Sequence, residues 1–213
     1  MIRSKIVLVE GVAGVGKSRL IDALLRRYVH EATTIRTFLH LPQGHSYFPL
    51  SPDEESENRT ADHNRKHLRQ ITEQLNWFSS IAEAGEMAKF YSVIDTLHLT
   101  HCVRPGLLKW EDVSSVDQAL KAMGCRLLFL RAKEETIWER TILSRKDTKF
   151  ISHYGRRYGG SLEAIHRYFV EEQLRLLELV NKSLLPSIVL EAETPFDELV
   201  TAAYSFWTVP DLK

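Results

Sequence analysis

The 213-residue sequence lacks several features that would each mark a particular class of protein. No apolar run approaches the ~20 residues that a membrane-spanning helix needs, and no repeat or low-complexity tract is present. The 28 basic and 28 acidic side chains cancel, so the chain has no global charge with which to hold nucleic acid. The two cysteines, Cys102 and Cys125, lack metal-site spacing, which predicts reduced thiols in a cytoplasmic protein. We therefore expect neither a membrane nor a nucleic acid among its partners.

One segment carries most of the information that is present. Residues 11–18 read Gly-Val-Ala-Gly-Val-Gly-Lys-Ser and fit the phosphate-binding pattern G-x-x-x-x-G-K-S/T, between a strand-like run and a helical pattern. In such a loop, backbone N–H groups and the N-terminus of the next helix bind phosphate oxygens. We expect Lys17 to reach the outer phosphates of ATP and Ser18 to ligate Mg²⁺. The expected nucleotide-binding residues are Gly11, Val12, Ala13, Gly14, Val15, Gly16, Lys17, Ser18 and Arg19.

Strand-like and helical patterns alternate along the chain, which is typical of a parallel sheet covered by helices on both faces. The order of elements predicts an α/β fold, a three-layer sandwich with a five-stranded parallel sheet, in a single domain over residues 1–213. The predicted strands are residues 5–10, 33–39, 90–94, 126–130 and 187–190. The clearest predicted helices are residues 17–30, 64–84 and 161–184.

Two stretches interrupt this alternation. Residues 40–64 lose all periodicity among prolines and acidic side chains, and a loop this long in a compact domain is usually functional or disordered. We expect it on the acceptor side of the site. Residues 133–160 combine a charged helical pattern with glycines, and Arg140 and Arg145 belong to a run of cations there. This run predicts either a lid that closes over a transferred phosphate or a solvated charged face.

Three polar residues lie at or beside the ends of predicted strands. Ligands of parallel sheets bind beyond the carboxyl ends of the strands, so Glu10, His40 and Asp95 should meet the phosphate loop there. Asp95 could order a magnesium-bound water or accept a proton from the phosphoryl acceptor, or it could be a turn residue. Glu10 could bind substrate or be tied to neighbouring backbone. His40 is a second candidate base, or merely a loop residue.

Three segments resemble motifs of the thymidylate kinase-like nucleotide and nucleoside kinases. Residues 9–18 resemble the E-G-x-x-G-x-G-K-S/T opening of that family. Residues 95–100, Asp-Thr-Leu-His-Leu-Thr, stand in the place of its D-R-Y/F/H-x-x-S segment, and residues 140–146 resemble its basic lid. The resemblance implies a P-loop NTPase of the nucleotide kinase type that transfers the γ-phosphate of ATP with Mg²⁺ as cofactor. The candidate catalytic residues are Lys17, Asp95, Arg140 and Arg145, and the candidate metal ligands are Ser18 and Asp95.

Two departures from the family pattern concern the phosphoryl acceptor. The phosphate-reading arginine after the aspartate is Thr96 here, and the R-E-P-type segment after the second strand reads His-Leu-Pro at 40–42. The acceptor could therefore be a nucleoside, a nucleotide, or a specialised metabolite or drug. His98 lies in the family-like segment, and Trp77 lies off the apolar stripe of the long helix, where it could stack on a flat substrate. With Glu10 and His40, they are the candidate acceptor-binding residues.

A different class of function also fits the loop. A nucleotide-dependent switch would use the long stretch at 40–64 to contact a protein partner. The predicted helices at 64–84 and 161–184 could each form the face of a homodimer, although their apolar stripes are equally explained by packing on the sheet. The kinase hypothesis needs a small-molecule partner, whereas the switch needs a macromolecule.

Overall fold

A single sheet organises the chain, of which a computed structural model describes residues 4–31, 37–43, 57–84, 89–104, 108–145, 154–155 and 159–209. The five strands lie in the order β2-β3-β1-β4-β5, and every pairing is parallel. The strands are β1 Ser4–Glu10, β2 Thr37–Leu41, β3 Phe90–Asp95, β4 Arg126–Arg131 and β5 Ser187–Glu191. The predicted α/β class and five-stranded parallel sheet are therefore confirmed.

Seven α-helices lie in the described part of the chain. They are α1 Lys17–Glu31, α2 Glu57–Ala84, α3 His98–Val103, α4 Trp110–Ala122, α5 Glu134–Ile137, α6 Leu162–Lys182 and α7 Phe196–Thr208. After α5 the chain continues as a π-helix, Trp138–Ile142, and a 3-10 turn, Leu143–Arg145. None of the described helices combines the length and apolar character that crossing a membrane requires.

The helices cover both faces of the sheet, because neighbouring residues of a strand point to opposite sides. Phe90 of β3 stacks on Phe78 of α2, with ring centroids 5.4 Å apart. The next residue, Tyr91, packs on Tyr28 of α1 at 4.8 Å and on Trp207 of α7 at 5.8 Å. The helices α1 and α7 thus lie on one face and α2 on the other, which makes the three-layer sandwich.

The central strands are apolar on both faces, as a strand covered by helices on both sides must be. The run at 6–9 in β1 has no exposed surface, and β3 is buried throughout. The outer strands β2 and β5 are only partly buried. All five strands run in the same direction, so their carboxyl ends meet at one edge of the sheet, where β1 leads into the glycine-rich loop.

The prediction of a loop over residues 40–64 is wrong at both ends. His40 and Leu41 belong to β2, and residues 57–64 form the first turns of α2. These turns lack an apolar stripe, so hydrophobic periodicity does not reveal them. Just after them, a polar contact joins α2 to α4, with 2.9 Å between Arg65 Nη1 and Asp112 Oδ1. The remainder of the predicted loop from 44 to 56, and residues 146–153 and 156–158 of the predicted lid, lie outside the described residues.

Candidate functional site

The loop between β1 and α1 adopts a backbone that glycine makes accessible. Gly11, Gly14 and Gly16 have φ values of 148°, 83° and 110°, in the region that side chains with a Cβ rarely adopt. Space is also restricted: a Cβ on Gly11 would lie 2.6 Å from the carbonyl oxygen of Leu130, at the end of β4. The predicted phosphate loop is therefore folded tightly against the carboxyl edge of the sheet.

The π-helix supports the loop from a second side. Thr141, which is fully buried, donates its hydroxyl hydrogen to the carbonyl oxygen of Ala13 at 2.7 Å. A Cβ on Gly14 would lie 2.6 Å from Thr141 Oγ1 and 3.0 Å from Thr141 Cα. Widened turns of this kind are frequent at functional sites. The charged stretch after β4 therefore contacts the loop directly, through a residue that no sequence motif marks.

A depression of about 170 Å³ lies in front of the loop. Its walls come from the loop and the first turn of α1, together with a residue that follows β2. The lining residues are Ala13, Gly14, Gly16, Lys17, Ser18, Arg19 and Gln43. Most of the predicted nucleotide-binding residues therefore share one concave surface. Val12 and Val15 face the core, with 1% and 2% of their surface exposed, so only their backbone groups are available to a ligand.

Lys17 is folded back onto the loop. Its ammonium donates to the carbonyl oxygens of Gly11 at 2.7 Å and Val12 at 3.2 Å, and only 7% of its surface is exposed. Burial lowers the pKa of Lys17, while the nearby carboxylates of Asp95 and Glu10 act in the opposite direction. A polyanion in the depression would replace weak carbonyl partners with strong charged ones and raise the pKa of Lys17 back toward its ordinary value.

Asp95 ends β3 beside Lys17, and only 6% of its surface is exposed. The chain turns sharply after it, because Thr96 has a left-handed φ of 67°, which is unusual for a β-branched residue. Two contacts hold this turn: the Thr96 N–H donates to Val9 O at 3.0 Å, and its hydroxyl donates to Asp95 Oδ1 at 3.1 Å. Strained backbone of this kind concentrates at functional sites, and here it orients the carboxylate.

Glu10 is tied to α3 through both of its oxygens. Oε1 accepts the N–H of Leu97 at 3.0 Å, and Oε2 accepts the hydroxyl of Thr100 at 2.7 Å. The side chain has no exposed surface, and burial raises the pKa of its carboxyl, against the opposing effect of these two hydrogen bonds. Glu10 thus holds α3 against the end of β1, and the reading of a carboxylate tied to its neighbours fits the structure better than substrate binding.

The structure places His98 away from any accessible surface. Its Nε2 donates to Asp117 Oδ1 of α4 at 3.0 Å, and neither side chain has exposed surface. Asp117 also accepts bonds from the hydroxyl of Ser183 at 2.6 Å and the N–H of Leu184 at 2.8 Å. The structure therefore gives no support to the expectation that His98 contacts the acceptor, because the side chain is buried and its Nε2 is held in this network of α3, α4 and the end of α6.

Trp77 also lies away from the loop. Two residues further along α2, Ser79 bonds Ser4 at 2.7 Å, and Ser4 begins β1 at the opposite edge of the sheet. At ~3.3 Å per residue, β1 separates the edge at Ser4 from the edge at Glu10 by about 20 Å. The indole is 59% exposed on the outer surface. His40, in contrast, pairs with Val93 one residue before β2 ends, near the correct edge.

The predicted arginines are only partly described. Arg140 lies in the π-helix and donates from Nη1 to the carbonyl oxygen of Ala192 at 3.2 Å, just after β5. Arg19 stacks its guanidinium on the ring of Phe196, 3.9 Å from the centroid. The backbone of Arg145 ends the 3-10 turn, but its side chain lies outside the described part of the structure. Whether these arginines reach a transferred phosphate stays a prediction.

Two charged residues that the sequence reasoning did not select complete the surroundings of Lys17. Arg104, at the end of α3, contacts Glu172 of α6, with 3.4 Å between Nε and Oε1. The charge of Arg104 lowers the pKa of Lys17, and the charge of Glu172 raises it. One signal could have identified Glu172: it stands three residues after Phe169 and four before Leu176, on the apolar stripe of α6, where a carboxylate is unexpected.

Comparisons with known proteins support the fold but not a named family. No protein-family model and no curated protein matches the sequence. Among solved structures, the chain is similar to the crystal structure of YorR from Bacillus subtilis in complex with phosphorylated GDP. The TM-score is 0.53 and the identity 13%, over 93% of this chain and 92% of YorR. At this identity the likeness shows the fold alone, and it agrees with the predicted α/β sandwich built on a five-stranded parallel sheet.

Proposed function

We propose that the protein is an ATP- and Mg²⁺-dependent kinase of the thymidylate kinase-like kind, which transfers the γ-phosphate to a small molecule. The observation that carries this proposal is the buried Lys17 ammonium, held on the glycine-rich loop within reach of the charge of Asp95. A cation that neutralises phosphate charge and a carboxylate that orients or deprotonates the attacking group are recurring parts of phosphoryl-transfer sites. The similarity in fold to YorR supports a nucleotide ligand.

The loop and Lys17 would bind the donor. The backbone N–H groups of 13–18 and the N-terminus of α1 would donate to the β- and γ-phosphates. Lys17 would exchange the carbonyl oxygens of Gly11 and Val12 for phosphate oxygens, and would neutralise the charge that develops during transfer. Because the loop is packed against β4 and Thr141, its backbone would reorganise little on binding.

The oxygen ligands that Mg²⁺ prefers are present in the Ser18 hydroxyl, which lines the depression, and the Asp95 carboxylate. When bound, the ion would neutralise part of the negative charge of the phosphates. Among the described residues, no group of three or more His, Cys, Asp or Glu side chains is placed so that it could hold a metal ion. Mg²⁺ usually keeps several waters and takes further oxygens from substrate phosphates, so this arrangement fits an ion that arrives with the nucleotide.

Asp95 would serve the acceptor. Its carboxylate lies at the end of β3 and is oriented by Thr96, so it can accept the proton of an attacking hydroxyl or orient that hydroxyl. The acceptor would be a nucleoside, a nucleotide or a similar hydroxylated compound, with a metabolite or drug as the alternative. A lid formed by Arg140, Arg145 and the cations after them would exclude water as transfer proceeds.

The test is phosphoryl transfer from labelled ATP to a panel of nucleosides, nucleoside monophosphates and other hydroxylated metabolites. Lys17→Ala should abolish transfer and leave the fold intact, because the hydrogen bonds that the described structure gives the ammonium join it to the loop alone. Lys121→Ala, at an exposed position near the end of α4, is the matched control and should turn over at the wild-type rate. Equal turnover by Lys17→Ala would exclude this donor site. Nucleotide-dependent capture of a macromolecule without small-molecule turnover would favour the switch instead.

A further inference from the structure

The ion pair of Arg104 and Glu172 has no role in the donor site described above. The guanidinium, at the end of α3, retains 22% of its side-chain surface, whereas the carboxylate, in the middle of α6, retains 2%. The neighbouring Gln173 fixes α6 beside the end of β4, because its amide both accepts from the N–H of Ala132 and donates to its carbonyl, each at 2.8 Å. Glu172 is therefore held rigidly near the carboxyl edge of the sheet.

One oxygen of Glu172 is left without a partner. Oε1 faces Arg104 Nε at 3.4 Å, but Oε2 is buried and receives no hydrogen bond from any residue that the structure describes. An unsatisfied carboxylate oxygen in a protein interior is costly. A position on the apolar stripe of α6 would be filled more favourably by leucine, so packing does not explain the carboxylate. A hydrogen-bond donor that arrives with a ligand would explain it.

The electrostatic surroundings limit what this ligand can be. Three buried carboxyl groups, of Glu10, Asp95 and Glu172, and one guanidinium, of Arg104, surround Lys17 at this end of the sheet. Arg104 is already paired with Glu172, and Thr96 stands where the resemblance implies a phosphate-reading arginine. The triphosphate of the donor would add further negative charge. A phosphate on the acceptor would therefore meet like charge, whereas a hydroxyl would find an open hydrogen-bond acceptor.

We propose that Glu172 binds a hydroxyl group of the phosphoryl acceptor, and that this acceptor carries no phosphate of its own. The inference rests on the proposed kinase function and specifies its substrate class. The hydroxyl held by Glu172 is not the reacting one. At the reacting hydroxyl, the oxygen forms a bond to the γ-phosphorus while the bond from phosphorus to the bridging oxygen breaks. ADP leaves with that electron pair, and the proton passes to Asp95.

The first experiment compares matched pairs of acceptors. Wild-type protein with Mg²⁺ and labelled ATP is given nucleosides and their 5′-monophosphates, and hexoses and their 6-phosphates. We expect the unphosphorylated member of the productive pair to have at least a tenfold higher kcat/KM. A preference for the phosphorylated member overturns the inference and leaves the proposed kinase intact. If no unphosphorylated member is turned over, the inference also falls.

The second experiment tests Glu172 directly. Glu172→Gln keeps the shape and an oxygen for Arg104, but replaces the charged acceptor with a neutral amide. We expect KM for the acceptor to rise roughly tenfold to a hundredfold, as expected for a lost hydrogen bond to a charged group, with a smaller change in kcat. Glu171→Gln, on the exposed side of the same helix where the carboxylate contacts Arg175 at 3.4 Å, is the matched control and should behave as wild type.

A structural role for Glu172 is separated from ligand binding by removing hydroxyls from the acceptor. For the wild-type protein, removing one particular hydroxyl from the acceptor should lower kcat/KM. The factor should equal the one by which Glu172→Gln lowers kcat/KM for the full acceptor. For Glu172→Gln, removing the same hydroxyl should lower kcat/KM less than threefold, because the hydroxyl and the Glu172 carboxylate contact each other in the wild type. Additive losses for every analogue, or an unchanged KM in Glu172→Gln, overturn the inference. Binding of a non-hydrolysable ATP analogue by calorimetry tests the donor site separately, since its absence contradicts the proposed function itself.

Discussion

Replacing Gly14 by alanine tests whether the π-helix determines the shape of the phosphate loop. The new Cβ would lie 2.6 Å from Thr141 Oγ1 and 3.0 Å from Thr141 Cα, and the backbone there has a φ of 83°. The protein contains a matched control in Gly160, which has nearly the same φ of 81° but no contact within 4 Å of the added Cβ among the residues that the structure describes. The pair of variants separates steric contact from backbone strain.

The difference in stability between the two variants follows from comparing their energy terms, because the terms that they share cancel. Each places a Cβ in left-handed backbone, which costs roughly 1–2 kcal/mol. Each also restricts the unfolded chain, which returns roughly 0.4–1 kcal/mol. Only Gly14→Ala must in addition displace Thr141, and overpacking of this kind costs about 1–3 kcal/mol. We therefore expect Gly14→Ala to have a free energy of unfolding about 1–3 kcal/mol below that of Gly160→Ala.

Urea unfolding of the wild type and both variants measures this difference, and an unchanged slope with urea would show that the denatured state is unaffected. Calorimetry with a non-hydrolysable ATP analogue should show weaker binding to Gly14→Ala than to Gly160→Ala, because displacement from Thr141 moves the amides of 13–16. Thr141→Ala removes the nearest clashing atom, so the double variant should lose less than the sum of the two single losses. Equal stability of the two glycine variants would refute the idea that Thr141 shapes the loop.

Two further predictions concern buried carboxylates. Asp95→Asn should lower kcat by roughly 10²–10⁴-fold with little loss of ATP affinity, because an amide cannot accept the acceptor's proton; steady-state kinetics and calorimetry would check this, and a near wild-type rate would contradict it. For Asp117, burial raises the pKa, but the hydrogen bonds from His98, Ser183 and Leu184 outweigh it and hold the pKa below its usual 3.8. The ionised carboxylate therefore stabilises the fold above about pH 4, and this contribution is lost as the pH falls through the lowered pKa. Asp117→Asn should lower the free energy of unfolding by about 1–3 kcal/mol at pH 7. That difference from wild type should shrink in urea unfolding below pH 4, and a constant difference would refute the assignment.

The positions of strands and of the phosphate loop were predictable because their signals are local. The run at 6–9 is apolar at every position, which a strand covered on both faces requires, and the loop pattern contains its own glycines, lysine and serine. The stretch at 57–64 was predicted wrongly for the converse reason. The first turns of its helix lack the apolar stripe that begins at Leu68, and the neighbouring polar contact of Arg65 with Asp112 of α4 involves a residue far along the chain.

The acceptor side could be predicted only in part. Asp95 lies at the carboxyl edge of the sheet, as predicted, because it is the last residue of β3 and all parallel strands end at that edge. Trp77 and His98 were selected by position in a pattern, but burial and distance depend on where α2 and α3 pack. The bond between Ser79 and Ser4 places Trp77 at the wrong edge, and the bond to Asp117 encloses His98. Neither contact leaves a trace in the residues around Trp77 or His98 themselves.

By itself, the sequence determined the sheet, the order of its elements and the loop that would receive a polyphosphate, because each depends on residues within about ten positions of one another. Only the tertiary structure decided what surrounds that loop. Thr141 lies 128 positions from Ala13, and Glu172 lies 68 positions from Arg104. The chemistry on the acceptor side therefore depends on side chains that packing brings together across long separations. Their charges and hydrogen bonds acquire meaning only once burial removes water from between them.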